Sequence, residues 1–231
     1  MAAAAPSLYR RALPSPPAVD FTSPDGKRLF SEALEGGTME GFFGLSSCFK
    51  TQSEPAFCGL ASLAVVLNAL AIDPGPAGAA PWRWFDESML DCCEPLDAVK
   101  ANGITFGKVA CLAHCAGAKV QPFRAHQVTI DDLRRHLVRC ASSTDCHLIA
   151  SYNRRHFKQV RSYRSYDTLD LGDCLYMCAM SVVADRNRAF LPNRWLPRWT
   201  GYGAHLRCRP LQIPSSLGST ATSLGSYEHD G

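Results

Sequence analysis

The sequence lacks the features that mark proteins of membranes, secretory routes or nucleic acids. No apolar run reaches the roughly 18 residues that are needed to span a bilayer. The N-terminus, Met1-Ala-Ala-Ala-Ala-Pro-Ser7, lacks the basic-then-apolar order of a secretory signal. The net charge of +3 is too small to indicate a nucleic-acid partner. We therefore expect a cytoplasmic protein that binds neither membrane nor nucleic acid.

Cysteine is abundant, but its number does not fit a disulfide framework. The chain has 11 cysteines in 231 residues, an odd number with no secretory signal before it. We expect such cysteines to be reduced thiols that serve catalysis, metal binding or core packing. Hydrophobic residues make up 46% of the chain, which is enough to build a buried core.

Helical patterns precede strand patterns along the chain. Residues 58–70 are nearly all apolar and too many for a typical strand, which predicts a buried helix. The turn residues Asp73-Pro74-Gly75 follow it, and Asp86-Glu87 can open a second helix. Further helices are predicted at 95–101, at 109–116 and after the cap residue Thr129, and strands at 119–123 and 147–152. Helices followed by strands indicate the α+β class.

Cys58 is the first residue of the predicted apolar helix. A helix N-terminus carries about half a positive charge and unsatisfied N–H groups, which favour a thiolate nucleophile. Gln52 precedes it at the spacing at which a glutamine of papain-like enzymes shares the oxyanion hole with the N–H of the nucleophilic cysteine. A buried structural cysteine at a helix start is the alternative interpretation.

Longer strings around Cys58 carry a specific resemblance. Residues 7–159 closely resemble plant phytochelatin synthase, almost without gaps. The strings that carry the resemblance are Ser7–Pro17, Gly37–Phe43, Thr51–Ser62, Pro81–Pro95, Gly107–Cys115 and Phe157–Gln159.

The resemblance implies a papain-like fold and a γ-glutamylcysteine dipeptidyl transpeptidase. The cysteine that matches Cys58 attacks the Cys–Gly bond of glutathione, glycine leaves, and a γ-glutamylcysteinyl thioester remains. A second glutathione, or a growing phytochelatin, accepts the dipeptide, which serves heavy-metal detoxification. Cadmium, zinc or copper activates the reaction, largely by presenting glutathione as a metal thiolate. The family's histidine is the general base, and its aspartate orients that histidine.

The remaining cysteines allow a metal site or plain core packing. The resemblance implies a metal-sensing or second-substrate role for Cys92, Cys93, Cys111 and Cys115, since soft thiolates suit cadmium, zinc or copper(I). Cys111 and Cys115 share a helix face, whereas adjacent Cys92 and Cys93 are expected to point apart. Cys140 and Cys146 form at most a weak metal pair. The scattered histidines, His126, His136, His147 and His156, are expected at the surface or in the core rather than as ligands.

The family's general base is missing from this sequence. After Gln159 the chain departs from the family pattern, so that Arg164 stands where the histidine is expected and Val182 near the position of the aspartate. Arginine stays charged and cannot accept the proton. We therefore expect a flexible arm at 1–20, the N-terminal part of the catalytic domain at 21–159, with its helical lobe intact, and an aberrant, poorly ordered tail at 160–231 that cannot supply the strands of the second lobe.

Three functional interpretations follow. The first is a phytochelatin synthase sequence whose nucleophile half is intact but which is inactive as written. The second is a non-catalytic, thiol-rich fragment that binds metal or glutathione thiolates. The third is a papain-like peptidase that hydrolyses glutathione conjugates, which would accumulate free γ-glutamylcysteine instead of the longer peptide.

We hypothesise that a shifted reading frame produced the tail; a divergent family member with a genuinely different tail is the alternative interpretation. Read one nucleotide later, the codons of residues 184–196 can encode Gln-Thr-Gly-Thr-Gly-His-Phe-Ser-Pro-Ile-Gly-Gly-Tyr, and those of residues 204–212 can encode Ala-Leu-Ile-Leu-Asp-Val-Ala-Arg-Phe, with the family's spacing between histidine and aspartate. Codons 160–184 then belong to a retained intron. We expect spliced cDNA across Gln159 to lack them and to encode His-Phe-Ser-Pro; a genomic sequence without that reading frame would contradict the prediction.

Overall fold

The fold combines six helices with one antiparallel sheet in the residues that the structure describes. A computed structural model describes residues 19–75, 83–153, 175–180 and 202–208. The helices are α1 Pro24–Glu35, α2 Glu40–Ser47, α3 Cys58–Ala69, α4 Leu96–Asn102, α5 Phe106–Cys115 and α6 Ile130–Ala141. The strands are β1 Ala118–Arg124, β2 Cys146–Asn153, β3 Leu175–Met180 and β4 Tyr202–Cys208. This mixture is that of an α+β protein. No described helix is both long and apolar enough to cross a membrane.

Local capping explains where the helices begin. Thr129 caps α6 by accepting a hydrogen bond from the Asp132 N–H, and the Asp132 carboxylate bonds back to Thr129, as predicted. Helix α5 begins three residues earlier than predicted, because the Thr105 hydroxyl accepts from the Lys108 N–H. Asp86 caps only a short 3-10 turn, Glu87–Met89, by accepting from the Ser88 N–H.

Helix α3 forms the centre of the core, as its apolar sequence predicted. Leu60, Leu63, Val66 and Leu67 are completely shielded from solvent. Each such side chain contributes about 1.5–3 kcal/mol by leaving water. Helices α2 and α5 and strands β2 and β3 lie against α3, so the helix is enclosed on several sides.

The sheet has the strand order β1-β4-β2-β3, with every neighbouring pair antiparallel. The predicted strands β1 and β2 are present, but they do not pair with each other. Strand β4 lies between them and pairs Leu206 with Val120 on one side and with His147 on the other. The chain therefore uses a late segment to satisfy the backbone groups of two earlier strands.

Residues 160–231, expected to be a poorly ordered tail, supply two strands of this sheet, β3 and β4. The absence of the strands of the family's second lobe stays a prediction. No period in the tail sequence predicted β3 or β4. Strand pairing needs backbone N–H and C=O groups, which every segment without proline offers, and the open edges of β1 and β2 must find partners. Several predicted features lie outside the described residues: the arm up to residue 18, Phe157–Gln159, Arg164 and Val182. The domain boundary at residue 159 stays a prediction.

A close approach between α2, α6 and β2 depends on Gly41. A Cβ atom at this position would lie 2.7 Å from the carbonyl oxygen of Cys140 and 3.5 Å from Nδ1 of His147. His147 is 1% exposed, and its two ring nitrogens have no hydrogen-bond partner among the described residues. Burial lowers the pKa of His147, which favours the neutral ring in this contact.

Substitution of Gly41 tests this approach. We expect Gly41→Ala to lower the free energy of unfolding by about 1–3 kcal/mol, because the new methyl group meets a backbone oxygen that cannot rotate away. Gly107→Ala is the matched control: Gly107 lies in helix α5 with no atom within 4 Å of the added Cβ, so it should be neutral or stabilise by up to about 1 kcal/mol. Urea unfolding measures both; equal effects of the two substitutions would contradict the close approach.

Candidate active site and thiol cluster

Cys58 occupies the first position of helix α3, as predicted, and its side chain is half-buried. The preceding residue, Phe57, has an apolar side chain that caps no N–H group of the first turn. The first N–H groups of a helix point out of its N-terminal end and carry partial positive charge. Cys58 thus lies where a developing oxyanion or a thiolate would meet backbone donors.

Gln52 lies in the loop that leads into α3, but its amide is turned towards that loop. Its Nε2 donates to the backbone carbonyl oxygens of Glu54 at 2.8 Å and Pro55 at 2.9 Å. An oxyanion-hole donor instead needs a free N–H aimed at the reacting oxygen. Gln52 must therefore give up one of these two hydrogen bonds to act in that role.

The same loop is anchored by charged residues that sequence reasoning did not single out as site residues. Nζ of Lys50 lies 2.6 Å from Oδ2 of Asp86 and 3.5 Å from Oε2 of Glu87. The Ser53 N–H donates to Oε1 of Glu87 at 3.2 Å. Glu87 is only 3% exposed, so this carboxylate is enclosed and paired. The hydrogen bond from Lys50 is the main cause that lowers the pKa of Asp86.

Two further contacts fix the surroundings of the loop. Nζ of Lys100, in α4, lies 2.6 Å from Oε1 of Glu54. The Asn68 side chain of α3 donates to the Phe85 carbonyl oxygen at 3.1 Å and accepts from the Phe85 N–H at 2.8 Å. The residues that meet around this loop are 17 to 46 positions apart in sequence. Among them, only the acidic pair Asp86-Glu87 was singled out in the sequence, and it was interpreted as a helix start.

Four cysteines meet beside α5. The Sγ atoms of Cys92, Cys93 and Cys115 all lie within 4.8 Å of one another. Sγ of Cys93 is 3.6 Å from that of Cys92 and 3.7 Å from that of Cys115. The expectation that adjacent Cys92 and Cys93 point apart is wrong, because they lie in an irregular bend where the alternation of a strand does not apply.

Cys93 and Cys111 form a disulfide, which corrects the expectation that these cysteines are reduced. The pair joins the segment after the Glu87–Met89 turn to helix α5 across 18 residues of sequence. Cys92 and Cys115 remain outside this disulfide. The predicted four-cysteine set is thus brought together, but two of its members are bonded to each other instead of being available as thiolates.

The cluster fits a soft metal ion once its disulfide is reduced. Sulfur ligands about 2.3 Å from a tetrahedral zinc ion lie about 3.8 Å apart, close to the Cys92–Cys93 and Cys93–Cys115 distances. The pKa of Cys92 is raised to about 11, mainly by partial burial and next by the neighbouring Cys115 thiol. A metal bound here therefore has to displace a proton from this thiol.

The other predicted residues lie apart from this cluster. Cys140 and Cys146 are both buried, and their Sγ atoms are 3.2 Å apart. His136 stacks on Phe123 with a ring separation of 4.9 Å, and His126 lies in a short 3-10 turn. His156 lies outside the described residues.

Comparisons with known proteins agree on one family. A family model described as phytochelatin synthase matches residues 8–163. Glutathione gamma-glutamylcysteinyltransferase 1 of Triticum aestivum is 66% identical over 191 residues, which are 83% of this chain and 38% of the relative. The enzyme of the same name from Arabidopsis thaliana is 59% identical over 83% of this chain and 39% of its own length. The Schizosaccharomyces pombe relative is 35% identical over 74% of this chain and 44% of its own length.

The match is long in this chain but short in the relatives. The chain spans about two fifths of the length of the curated relatives just named. Cys58, Gln52 and the four clustered cysteines all lie inside the residues that the family model matches.

Proposed function

The chain belongs to the phytochelatin synthase family, and from that premise we propose that residues 21–159 are the N-terminal part of a papain-like domain for γ-glutamylcysteinyl transfer. The observation that carries the proposal is the place of Cys58, at the N-terminus of a buried helix within the matched residues. The substrate is glutathione, alone or as a metal thiolate, and the compartment is the cytoplasm, where glutathione is expected to reduce the Cys93–Cys111 disulfide.

The chemistry is acyl transfer through a thioester. The Cys58 thiolate attacks the carbonyl carbon of the Cys–Gly bond in glutathione, and the electron pair moves to the carbonyl oxygen. Backbone N–H groups at the start of α3, and Gln52 once its amide leaves a loop carbonyl, stabilise this oxyanion. Glycine then leaves, and the amino group of a second glutathione takes the γ-glutamylcysteinyl group from the sulfur. Lys50 and Glu87 act as positioning residues, since they hold the loop that carries Gln52.

This chain lacks the base that the reaction needs. The thiol must lose a proton before attack, and the leaving glycine must gain one, which a histidine performs in the family. Arg164 stands at that position and cannot exchange a proton in the useful pH range. The chain as written is therefore a nucleophile half with little or no turnover.

Purified chain 1–231 tests this assignment. With glutathione and Cd²⁺ we expect phytochelatin formation at least about 100-fold below that of the Triticum aestivum relative, because general acid–base catalysis is lost. Iodoacetamide should still alkylate Cys58, as seen by peptide mass, and Cys58→Ser should remove only that label. Ordinary turnover by the wild-type chain would contradict the inactivity, whereas protection of Cys58 from alkylation in the native protein would contradict the nucleophile.

The thiol cluster favours a second candidate function, a non-catalytic fragment that binds soft metal ions. Cys92, Cys93 and Cys115 place three sulfur atoms at metal-ligand spacing. Reduction of the Cys93–Cys111 disulfide by a thiol makes Cys93 available as a donor and adds Cys111 as a fourth. Cadmium, zinc and copper(I) all suit such donors. In this role the metal is held by the protein, whereas in the transferase it arrives on glutathione.

Metal titration separates the two roles. We expect the chain, after reduction and removal of the reductant, to bind Cd²⁺ with the ultraviolet absorption of cadmium–thiolate bonds. Cys115→Ser should weaken binding about tenfold or more, since it removes one of the four thiols of the reduced cluster. Cys58→Ser, the matched control, should leave it unchanged. Equal weakening by both substitutions, or equal binding by the oxidised chain, would contradict a separate cluster site.

A further inference from the structure

A second pair of cysteines lies far along the chain from the four-cysteine cluster. Cys140 lies in the last turn of α6, and Cys146 is the first residue of β2. Their Sγ atoms are 3.2 Å apart, and the two residues are 2% and 0% exposed. The pair therefore bridges the junction between a helix and the strand that follows it.

This spacing suits a covalent bond better than a shared metal ion. Two sulfur ligands of one tetrahedral zinc ion lie about 3.8 Å apart. The observed Sγ–Sγ separation is shorter than this. A disulfide needs the two sulfur atoms to approach to about 2.05 Å, which is about 1.2 Å closer than they lie here.

The connection between the two residues gives a route to them. Residues 142–145 form a short polar loop in which Ser142, Thr144 and Asp145 are exposed. The loop is held by Ser143, which hydrogen-bonds to the carboxylate and the N–H of Asp145. Exposed loops open at a lower cost in free energy than the core, so this loop is the route by which a small reagent reaches the thiols without global unfolding.

We propose that Cys140 and Cys146 are a redox modification site that forms a reversible second disulfide with a small disulfide such as oxidised glutathione. The thiolate of one cysteine attacks the small disulfide, forms a mixed disulfide and releases one thiol. The other cysteine then attacks the protein sulfur of that intermediate and releases the second thiol. Two protein thiols and one small disulfide become one protein disulfide and two small thiols, so electrons and protons balance.

The new bond fixes a contact on which the core depends. It ties the end of α6 to the start of β2, beside the Cys140 carbonyl oxygen that Gly41 approaches and next to buried His147. A disulfide stabilises a fold mainly by restricting the unfolded chain. Oxidation at this site is therefore expected to strengthen the α2–α6–β2 contact rather than to disrupt it.

Peptide mass provides a direct test in the wild-type chain. Cleavage after Arg139 and Arg154 releases one peptide, residues 140–154, that contains both cysteines and no others. The native protein is equilibrated with mixtures of reduced and oxidised glutathione and then quenched with N-ethylmaleimide. In oxidising mixtures we expect this peptide to carry no N-ethylmaleimide label and to be two hydrogens lighter than the reduced peptide. In the same mixtures Cys48, which is half-buried and outside any disulfide, should still take its label.

The denatured chain is the control for the role of the fold. In urea we expect half-formation of the bond to need about tenfold or more oxidising mixtures, because only the native fold holds the sulfur atoms together. Three results would each overturn the proposal. The first is two labels on the native peptide in oxidising mixtures, the second is an end state that carries glutathione on one cysteine, and the third is equal behaviour of the native and denatured chains.

Thermal unfolding provides a second readout. Oxidation should raise the Tm of the wild-type chain by about 5 °C more than that of Cys140→Ser, because the variant keeps the Cys93–Cys111 pair but cannot form the new bond. An equal rise in both proteins would overturn the stabilising role. If the variant does not fold, the peptide measurement on the wild-type chain decides alone.

Discussion

The burial of helix α3 is the constraint on which the rest of the structure depends. A helix that is apolar on nearly every side cannot lie at a surface, so neighbouring elements have to cover it. Helices α2 and α5 and strands β2 and β3 do so. Because α3 is enclosed in this way, its first residue, Cys58, has a defined position at the end of a rigid element. A reactive side chain on such an element is held more precisely than one on a loop.

Polar contacts connect the buried helix α3 to the loop that carries Gln52. Asn68 extends from α3 to the backbone of Phe85, and this contact brings the segment after residue 83 against the helix. Asp86 and Glu87 follow in that segment and hold Lys50 and Ser53. The loop that carries Gln52 is thus positioned through the core instead of by its own sequence. An enclosed carboxylate such as Glu87 is tolerated because both an amide and a cation compensate its charge.

Apart from Cys58, cysteines lie together at two separate places in the fold. Beside α5, four cysteines combine one disulfide with two further thiols, so the number of soft donors depends on the redox state. At the junction of α6 and β2, the buried Sγ atoms of Cys140 and Cys146 lie next to each other. Among the described residues, no third cysteine is near enough to form a metal-binding group with them. The first arrangement suits metal ions after reduction, whereas the second suits a bond between its own members.

The sequence by itself determined the elements whose signals are local. The apolar run of α3, the Thr129 cap of α6, the place of Cys58 at a helix start and the family could all be read from stretches of adjacent residues. Only the tertiary structure decided the contacts between distant residues. These are the insertion of β4 between β1 and β2, the Cys93–Cys111 disulfide, the convergence of Cys92 and Cys93 and the anchoring of the loop by Glu87. The physical reason is that a cap or a periodic face requires only neighbours in sequence. Strand pairing, disulfides and buried charges instead require partners that chain folding alone brings within reach.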